Sequence, residues 1–371
     1  LGWLIAVAWL LRVLEWRWRL RDVPDLTKAA FEVPGGPLPR LSVIVPARNE
    51  EANIAATLRS LIASEGVDLQ IIAVDDRSND QTGKAMDALS RCAVVLHVEE
   101  LPPGWLGKTH AMALGAELAT GEWLLFTDAD VLFHPDALRR ALQFAVSSGA
   151  DHAVLLPTVL LQSWGERMTI AFLQVLSIWG LRVWRVPDPR AKRDAIGVGA
   201  FNLIRRDVYD ALGGWEAFRM EVLEDLTLGR RVKEKGYAQR VALGLDLVSV
   251  RWAKGAFGVV DNLTKNLFAL CGFRPERALG LVAGIALFTW FPLFAGWPAL
   301  LLCVTLILAY QKAGKYHHFT AAQAPVFPIA SLLLQYALLR SMFRALRSGG
   351  VTWRGTFYSL KDLRSNAAMP R

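Results

Sequence analysis

Cysteine and histidine are scarce in this chain. Cys92, Cys271 and Cys303 stand far apart and odd in number. No pair has metal-ligand or redox spacing, so there is no disulfide framework, and a reducing compartment fits. His97, His110, His134 and His152 are scattered, and each reads as a packed or surface residue rather than a ligand. No basic stripe with interleaved aromatics crosses the polar part of the chain, although the formal net charge is +8. That argues against a nucleic-acid partner. No internal repeat or low-complexity run is present. No small-residue cleavage site follows the apolar start of the chain; Trp16 and Trp18 do, as at a membrane interface.

What the chain has in excess is apolar surface: 53% of its 371 residues are hydrophobic. The excess is concentrated at residues 1–14, 168–184, 278–310 and 324–339, around a segment of ordinary polarity. Basic residues flank these stretches, Arg12, Arg17, Arg19 and Arg21 at one end and Arg340, Arg344, Arg347 and Arg354 at the other. Flanking Lys and Arg set topology, basic side inward, and attract anionic lipid. Residues 1–21 are expected to form an N-terminal membrane anchor, because 1–14 is shorter than the ~20 residues that cross a bilayer; it also fits the rest of a truncated span. Residues 273–345 read as a C-terminal transmembrane region with an even number of crossings, and 346–371 as a basic cytosolic tail. Residues 168–184 are interrupted by Gln174, Ser177 and Arg182. A single crossing there would split one site across the bilayer, so an interfacial helix is expected.

Residues 22–40 hold Pro24, Pro34, Pro37, Pro39 and Gly35-Gly36 and read as a linker. The pattern then alternates. Strands are expected at 41–45, 69–74, 93–98 and 123–127, and helices at 53–62, 81–90, 109–118 and 136–147. This predicts an α/β domain over residues 41–272, with a mostly parallel sheet and helices on both faces. Ligands bind beyond the carboxyl ends of such strands. Pro46-Ala47-Arg48-Asn49-Glu50, Asp75-Asp76 and Asp128-Ala129-Asp130 each follow a strand directly, so three polar clusters converge on one sheet edge.

Asp128 and Asp130, at i and i+2, offer hard oxygen ligands suited to Mg²⁺ or Mn²⁺; a solvated turn is the plain alternative. Asp75 or Asp76 can accept from a nucleobase N–H or a ribose hydroxyl, while Ser78 or Asp80 caps the next helix. Lys108 follows the rigid loop 101–107 at a helix start, where a diphosphate is favoured. Glu224 and Asp225 open an amphipathic helix. Asp225 is the candidate general base, with Glu224 orienting it or binding the acceptor; acidic residues favoured by the helix dipole are the alternative. Residues 196–202 read as a strand whose Gly197 and Gly199 admit a ligand or a backbone closely. Trp215, after Gly213-Gly214, lies either beneath an acceptor pocket or in the core. Arg251-Trp252 fits a phosphate clamp with a stacking indole, or a membrane-interface pair.

Taken in order, Val45-Pro46-Ala47-Arg48-Asn49-Glu50-Glu51, Val74-Asp75-Asp76, Thr127-Asp128-Ala129-Asp130 and Leu223-Glu224-Asp225 resemble a membrane-bound family 2 glycosyltransferase of the GT-A fold. The loop Leu101-Pro102-Pro103-Gly104-Trp105-Leu106-Gly107-Lys108 and the tail Gly349-Gly350-Val351-Thr352-Trp353-Arg354-Gly355 resemble the hopanoid-associated and carotenoid branch, with ceramide glucosyltransferases as relatives. The resemblance implies a Rossmann-like GT-A domain flanked by membrane or interfacial helices, in the cytoplasmic membrane and facing the cytosol. It implies an inverting, metal-dependent transfer of one sugar from a nucleotide sugar, a UDP-sugar by expectation. The acceptor would be a hopanoid, carotenoid, sphingolipid or other polyisoprenoid-type lipid. Pro46, Ala47, Glu50 and Asp75 or Asp76, with Arg48 among them, would cradle the nucleoside. Asp128 and Asp130 would serve the metal and donor, and Asp225 would be the base. Gly199, Trp215, Arg251 and Trp252 are assigned to the acceptor or diphosphate. Processive synthases carry Gln or Arg three residues before their Arg-Trp pair, where this chain has Val248. A processive polysaccharide synthase and a silent nucleotide-binding membrane scaffold are the alternatives.

Overall fold

A computed structural model describes residues 1–32, 36–316, 319–353 and 355–366. Pro34 and Gly35 of the expected linker, Arg354 of the tail motif and residues 367–371 lie outside the described residues. The chain packs as two compact units. One, the sheet unit, comprises residues 23–158 and 183–250; the other, the helical unit, comprises 1–22, 159–182 and 251–371.

The sheet unit is an α/β structure on one eight-stranded sheet. Its strands are β1 (Leu41–Ala47), β2 (Leu69–Asp76), β3 (Val94–Val98), β4 (Trp123–Phe126), β5 (Val131–Phe133), β6 (His152–Val159), β7 (Asn202–Arg205) and β8 (Gln239–Val250). The spatial order is β3-β2-β1-β4-β7-β6-β8-β5. β3, β2, β1 and β4 run parallel, as the alternation of strand and helix requires. Beyond β4 the pairings β4–β7, β7–β6 and β8–β5 are antiparallel. Every residue of β1 and β4 is buried. This is why both read as continuous apolar runs rather than alternating ones.

Register delivers the site. Ile44 of β1 lies opposite Phe126 of β4, and Ala47 lies opposite Asp75 of β2. The three polar clusters therefore leave the sheet side by side. The short β5, absent from the sequence reading, follows Asp130 at once and pairs with β8 through Val131 and Val250. It turns the chain back before the helix Ala137–Ser147. Part of the proline-rich segment is folded onto the sheet. Leu26 is fully buried, and its N–H donates to the Leu243 carbonyl at 3.1 Å.

The helical unit gathers Gly2–Arg19, Trp164–Gly180, Gly255–Leu270 and the helices that follow. Trp9 is its anchor: fully buried, edge-on to Trp179 at 5.2 Å and to Phe327 at 5.7 Å, with its indole donating to the Phe288 carbonyl. Helix Trp164–Gly180 begins with a reciprocal capping box between Ser163 and Glu166. Among the described residues, Pro275–Phe294 and Ala321–Ser348 are long and apolar enough to cross a membrane, and Trp297–Ala313 is a shorter apolar helix. Ser331 ties the first two together, meeting Thr289 Oγ1 at 3.1 Å and accepting from Trp290 Nε1 at 3.1 Å.

Candidate active site

Two loops at the ends of β1 and β2 are laced together. Asn49 and Arg77 both take the left-handed conformation, at φ 55° each. The turns they make face one another. The Asn49 N–H donates to Ser78 Oγ at 2.9 Å, and the Asn79 N–H donates back to Asn49 Oδ1 at 2.8 Å. The Glu50 N–H donates to Thr82 Oγ1 at 2.7 Å, and the Gln81 N–H to Glu51 Oε2 at 3.0 Å.

Asp75 and Asp76 are both buried. Asp76 is held by Arg77 at 2.8 Å and Arg48 at 3.6 Å. A Cβ on Gly107 would stand 2.2 Å from Asp76 Oδ2, so only glycine lets helix Gly107–Leu118 start against that carboxylate. Asp75 accepts the Ser78 N–H at 3.2 Å and pairs with His97 Nδ1 at 3.1 Å. His97 Nε2 meets Asp87 Oδ1 at 3.0 Å, and both carboxylates raise the imidazole above its ordinary range. His97, read from the sequence as a packed or surface residue, thus props Asp75. Its spacing from Asp75 carries no motif, and only the β2–β3 register brings them together.

The second cluster centres on Lys108 in the first turn of its helix. Lys108 Nζ stands 2.6 Å from Asp128 Oδ1 and 2.6 Å from Glu224 Oε1. Burial works against its charge, but Asp128 and Glu224 outweigh that and hold it well above the usual lysine range. In this structure Lys108 neutralises carboxylates. Lys108, Gly199, Trp215, Glu224 and Asp225 line one narrow cavity.

The loop at residues 196–201 carries no strand, correcting the sequence expectation; β7 begins at Asn202. Its glycines are approached closely, but by protein. A Cβ on Gly197 would fall 1.7 Å from the Asp225 carbonyl oxygen, and one on Gly199 would fall 2.6 Å from Asp128 Oδ2. The loop is wedged between the two acidic positions, where a straight strand does not fit. Its upstream end is pinned by Gln239, which exchanges hydrogen bonds with the Ile196 N–H at 3.1 Å and the Ile196 carbonyl at 2.8 Å. Gln239 Nε2 also meets His152 Nδ1 at 2.9 Å, and His152 Nε2 meets Asn202 Oδ1 at 2.5 Å. Burial depresses His152 to about 4, so it is neutral. Polar residues on apolar strands gave no sequence signal for this network.

Trp215 is in the core, edge-on to Phe126 at 4.9 Å, while also lining the cavity. Arg251 and Trp252 belong to the helical unit. Arg251 Nη2 lies 3.7 Å from Glu166 Oε1. Burial favours protonating Glu166, but the backbone N–H groups of Gly255, Gln162 and Ser163 overcome it and draw the carboxyl down to about 2. Trp252 accepts a hydrogen bond from Asn262 through its carbonyl.

Asp130 is pushed up to about 7, first by burial and then by Asp128 and Glu50. Asp225 is also pushed well above the carboxylate range, by burial and then by Glu224. Both carboxylates feel Lys108, the nearby cation. This donor set, all oxygen and short of positive charge, fits a hard divalent cation held by Asp128 and Asp130. Among the described residues no three His, Cys, Asp or Glu side chains gather closely enough to hold an ion alone. Substrate phosphate oxygens would have to complete such a shell, as is usual for Mg²⁺.

Residues 42–213 match the family model described as glycosyl transferase family 2. The chain carries a family 2 glycosyltransferase domain. The chain is 26% identical over 344 residues to the 4,4'-diaponeurosporenoate glycosyltransferase of Staphylococcus aureus strain USA300, covering 86% of this chain and 88% of the relative. Its structure resembles the mannosyltransferase PcManGT from Pyrobaculum calidifontis, solved in complex with GDP-Man and Mn²⁺. There the TM-score is 0.51 at 18% identity, covering 94% of this chain and 99% of that one. The transferase fold is GT-A, as the resemblance implied. The match takes in the Pro46, Asp75 and Asp128 clusters, while Glu224 and Asp225 lie downstream of it.

Proposed function

We propose that this transferase moves a single sugar from a nucleotide sugar, a UDP-sugar by preference, to a hydroxyl of a membrane lipid, with inversion at the anomeric carbon. The observation that carries the reading is Lys108 Nζ 2.6 Å from both Asp128 and Glu224, beside the half-buried Asp225. One cation and several carboxylates from three strand or helix ends then meet around a single reacting point.

The laced loops hold the nucleoside, with Asp75 and Asp76 accepting from the base or ribose. Lys108 exchanges its carboxylate contacts for the donor diphosphate, helped by the N-terminal amides of its helix. Asp225 accepts the acceptor hydroxyl proton as that oxygen attacks the anomeric carbon. The bond from that carbon to the diphosphate breaks, and its electron pair leaves with the nucleoside diphosphate. Burial raises the basicity of Asp225 toward neutrality, where a general base works best. A divalent cation, Mg²⁺ or Mn²⁺, bound at Asp128 and Asp130 would add neutralisation of the charge gathering on the leaving diphosphate. The mannosyltransferase with GDP-Man and Mn²⁺ supports a nucleotide-sugar donor and a metal, and the diaponeurosporenoate enzyme supports an isoprenoid-type acceptor.

The two long apolar helices support a membrane location, and the arginines ending the second support a cytosolic face. A lipid acceptor then reaches the enzyme without leaving the bilayer. The test is a donor panel on membranes containing the protein, with mass spectrometry of extracted lipids and an EDTA arm. One new glycolipid bearing one sugar, lost with EDTA, is expected. A polymeric product would favour a synthase, and an absence of any transfer with every donor would favour a silent scaffold.

A further inference from the structure

Within the helical unit lies an open groove of about 1190 Å³. Its walls are helix Gly255–Leu270, the last turns of helix Phe327–Ser348 and the strand Gly350–Trp353. Among the described residues four cations line it: Lys265, Arg340, Arg344 and Arg347. Asp261 is the lining carboxylate, and Arg340 takes it at 2.5 Å. Arg344 and Arg347 have no carboxylate partner among the described residues, and Lys265 donates only to Asn262 Oδ1 at 3.2 Å. Asn266, also lining the groove, has a buried Oδ1 with no donor among the described residues. Three unpaired cations sharing one recess repel one another unless an anion joins them.

The groove continues into an apolar track. Ile329, Leu332, Tyr336, Leu339 and Phe343 are 53%, 50%, 52%, 36% and 61% exposed. Their steps of three and four place them on one face of the helix. The helix is one of the two able to cross a membrane, and Phe343 itself lines the groove. Cationic recess and apolar track are thus joined end to end.

We propose that this groove binds the headgroup of an anionic phospholipid. Its phosphate lies on Arg344 and Arg347 with Lys265 opposite, a headgroup hydroxyl donates to Asn266, and an acyl chain follows the track toward Ile329. Arginine suits the phosphate because its planar fork donates two parallel hydrogen bonds. Basic recesses at the cytoplasmic ends of membrane helices recognise anionic headgroups in this way. A free phosphate matches the cations but leaves the track unexplained. The proposal rests on the membrane reading above and is independent of the sugar-transfer chemistry.

The test is native mass spectrometry of the full chain in detergent, titrated with phosphatidylglycerol and phosphatidylcholine of matched acyl chains. The wild type is expected to prefer phosphatidylglycerol about twenty-five-fold or more. Each arginine neutralised should cost roughly fivefold in that affinity, so Arg344→Gln with Arg347→Gln together should lose about twenty-five-fold, with phosphatidylcholine unchanged. Lys192→Gln, an exposed lysine of the sheet unit, should retain full preference. If the double variant fails to fold, judged by its melting temperature, Lys265→Gln is read instead, with the fivefold loss expected. Equal affinity for the two lipids in the wild type, or undiminished preference in the variants, would overturn the proposal. So would displacement of the lipid by inorganic phosphate at about tenfold molar excess, which would make the groove an ion site.

Discussion

Lys108 Nζ lies 2.6 Å from Asp128 Oδ1, so the lysine at a helix start salt-bridges the aspartate at a strand end. Glu224 Oε1 sits at the same distance on its other side. Lys108→Met should leave these carboxylates repelling one another. The expected result is a fall in turnover of about 100-fold and a loss of stability of about 2 kcal/mol. The stability figure lies below the ~3–5 kcal/mol of a fully buried broken pair because the side chain is 34% exposed and partly screened. Transfer kinetics and urea unfolding check the two halves separately.

Asp225→Asn keeps shape and removes the proposed base. Turnover should fall about 10²–10⁴-fold while donor affinity, read by calorimetry, stays within about twofold. The wild-type rate should rise with pH through neutrality, because the raised Asp225 must be ionised to accept a proton. A variant with unchanged turnover would remove Asp225 from the base role.

Asp130 predicts a pH-dependent metal effect. Its pKa is about 7 in the fold against an ordinary 3.8. Its contribution to stability is full below that ordinary value and is lost as pH rises through about 7. At pH 8 the ionised cluster is repulsive, and a bound cation relieves it. Millimolar Mn²⁺ should therefore raise the melting temperature by about 4 °C at pH 8 and by much less at pH 5. Differential scanning fluorimetry at the two pH values reads this without any assay of transfer.

His152 works in the opposite sense. Burial lowers it from 6.5 to about 4, so its contribution is present above 6.5 and is lost as pH falls toward 4. The loss amounts to about 3 kcal/mol. Urea midpoints should drop across that interval, and His152→Gln should flatten the drop.

Gly197→Ala should cut turnover sharply, because its Cβ would fall 1.7 Å from the Asp225 carbonyl oxygen and must push the proposed base aside. Gly180→Ala, in a helix with nothing within 4 Å, should be neutral or stabilising by about 0.5 kcal/mol. Paired kinetics and melting curves for the two variants check the contrast.

Asp75-Asp76 and Asp128-Asp130 were legible because each follows a buried apolar strand, and an apolar run ending in carboxylates is visible without neighbours. Lys108 was legible through Pro102, Pro103 and Gly104 before it, which signal a loop feeding a helix. The hidden parts depend on partners far away in the chain. Gly197 and Gly199 looked like strand residues because the Asp225 and Asp128 atoms that need their space lie elsewhere in the sequence. Gln239 and His152 looked unremarkable because a polar side chain on a strand reads as solvent-facing until its mate is known. β5 was missed because three residues are too few to carry a period.

If the laced loops hold the nucleoside as proposed, the lacing of Asn49 to Ser78 and Asn79 bears on how donor choice can be altered. Each turn is the template on which the other is moulded. Transplanting residues 48–51 from a relative with another nucleotide preference should give a misshapen pocket unless residues 77–82 travel with them. Swaps of donor preference in this scaffold are therefore a two-segment exchange.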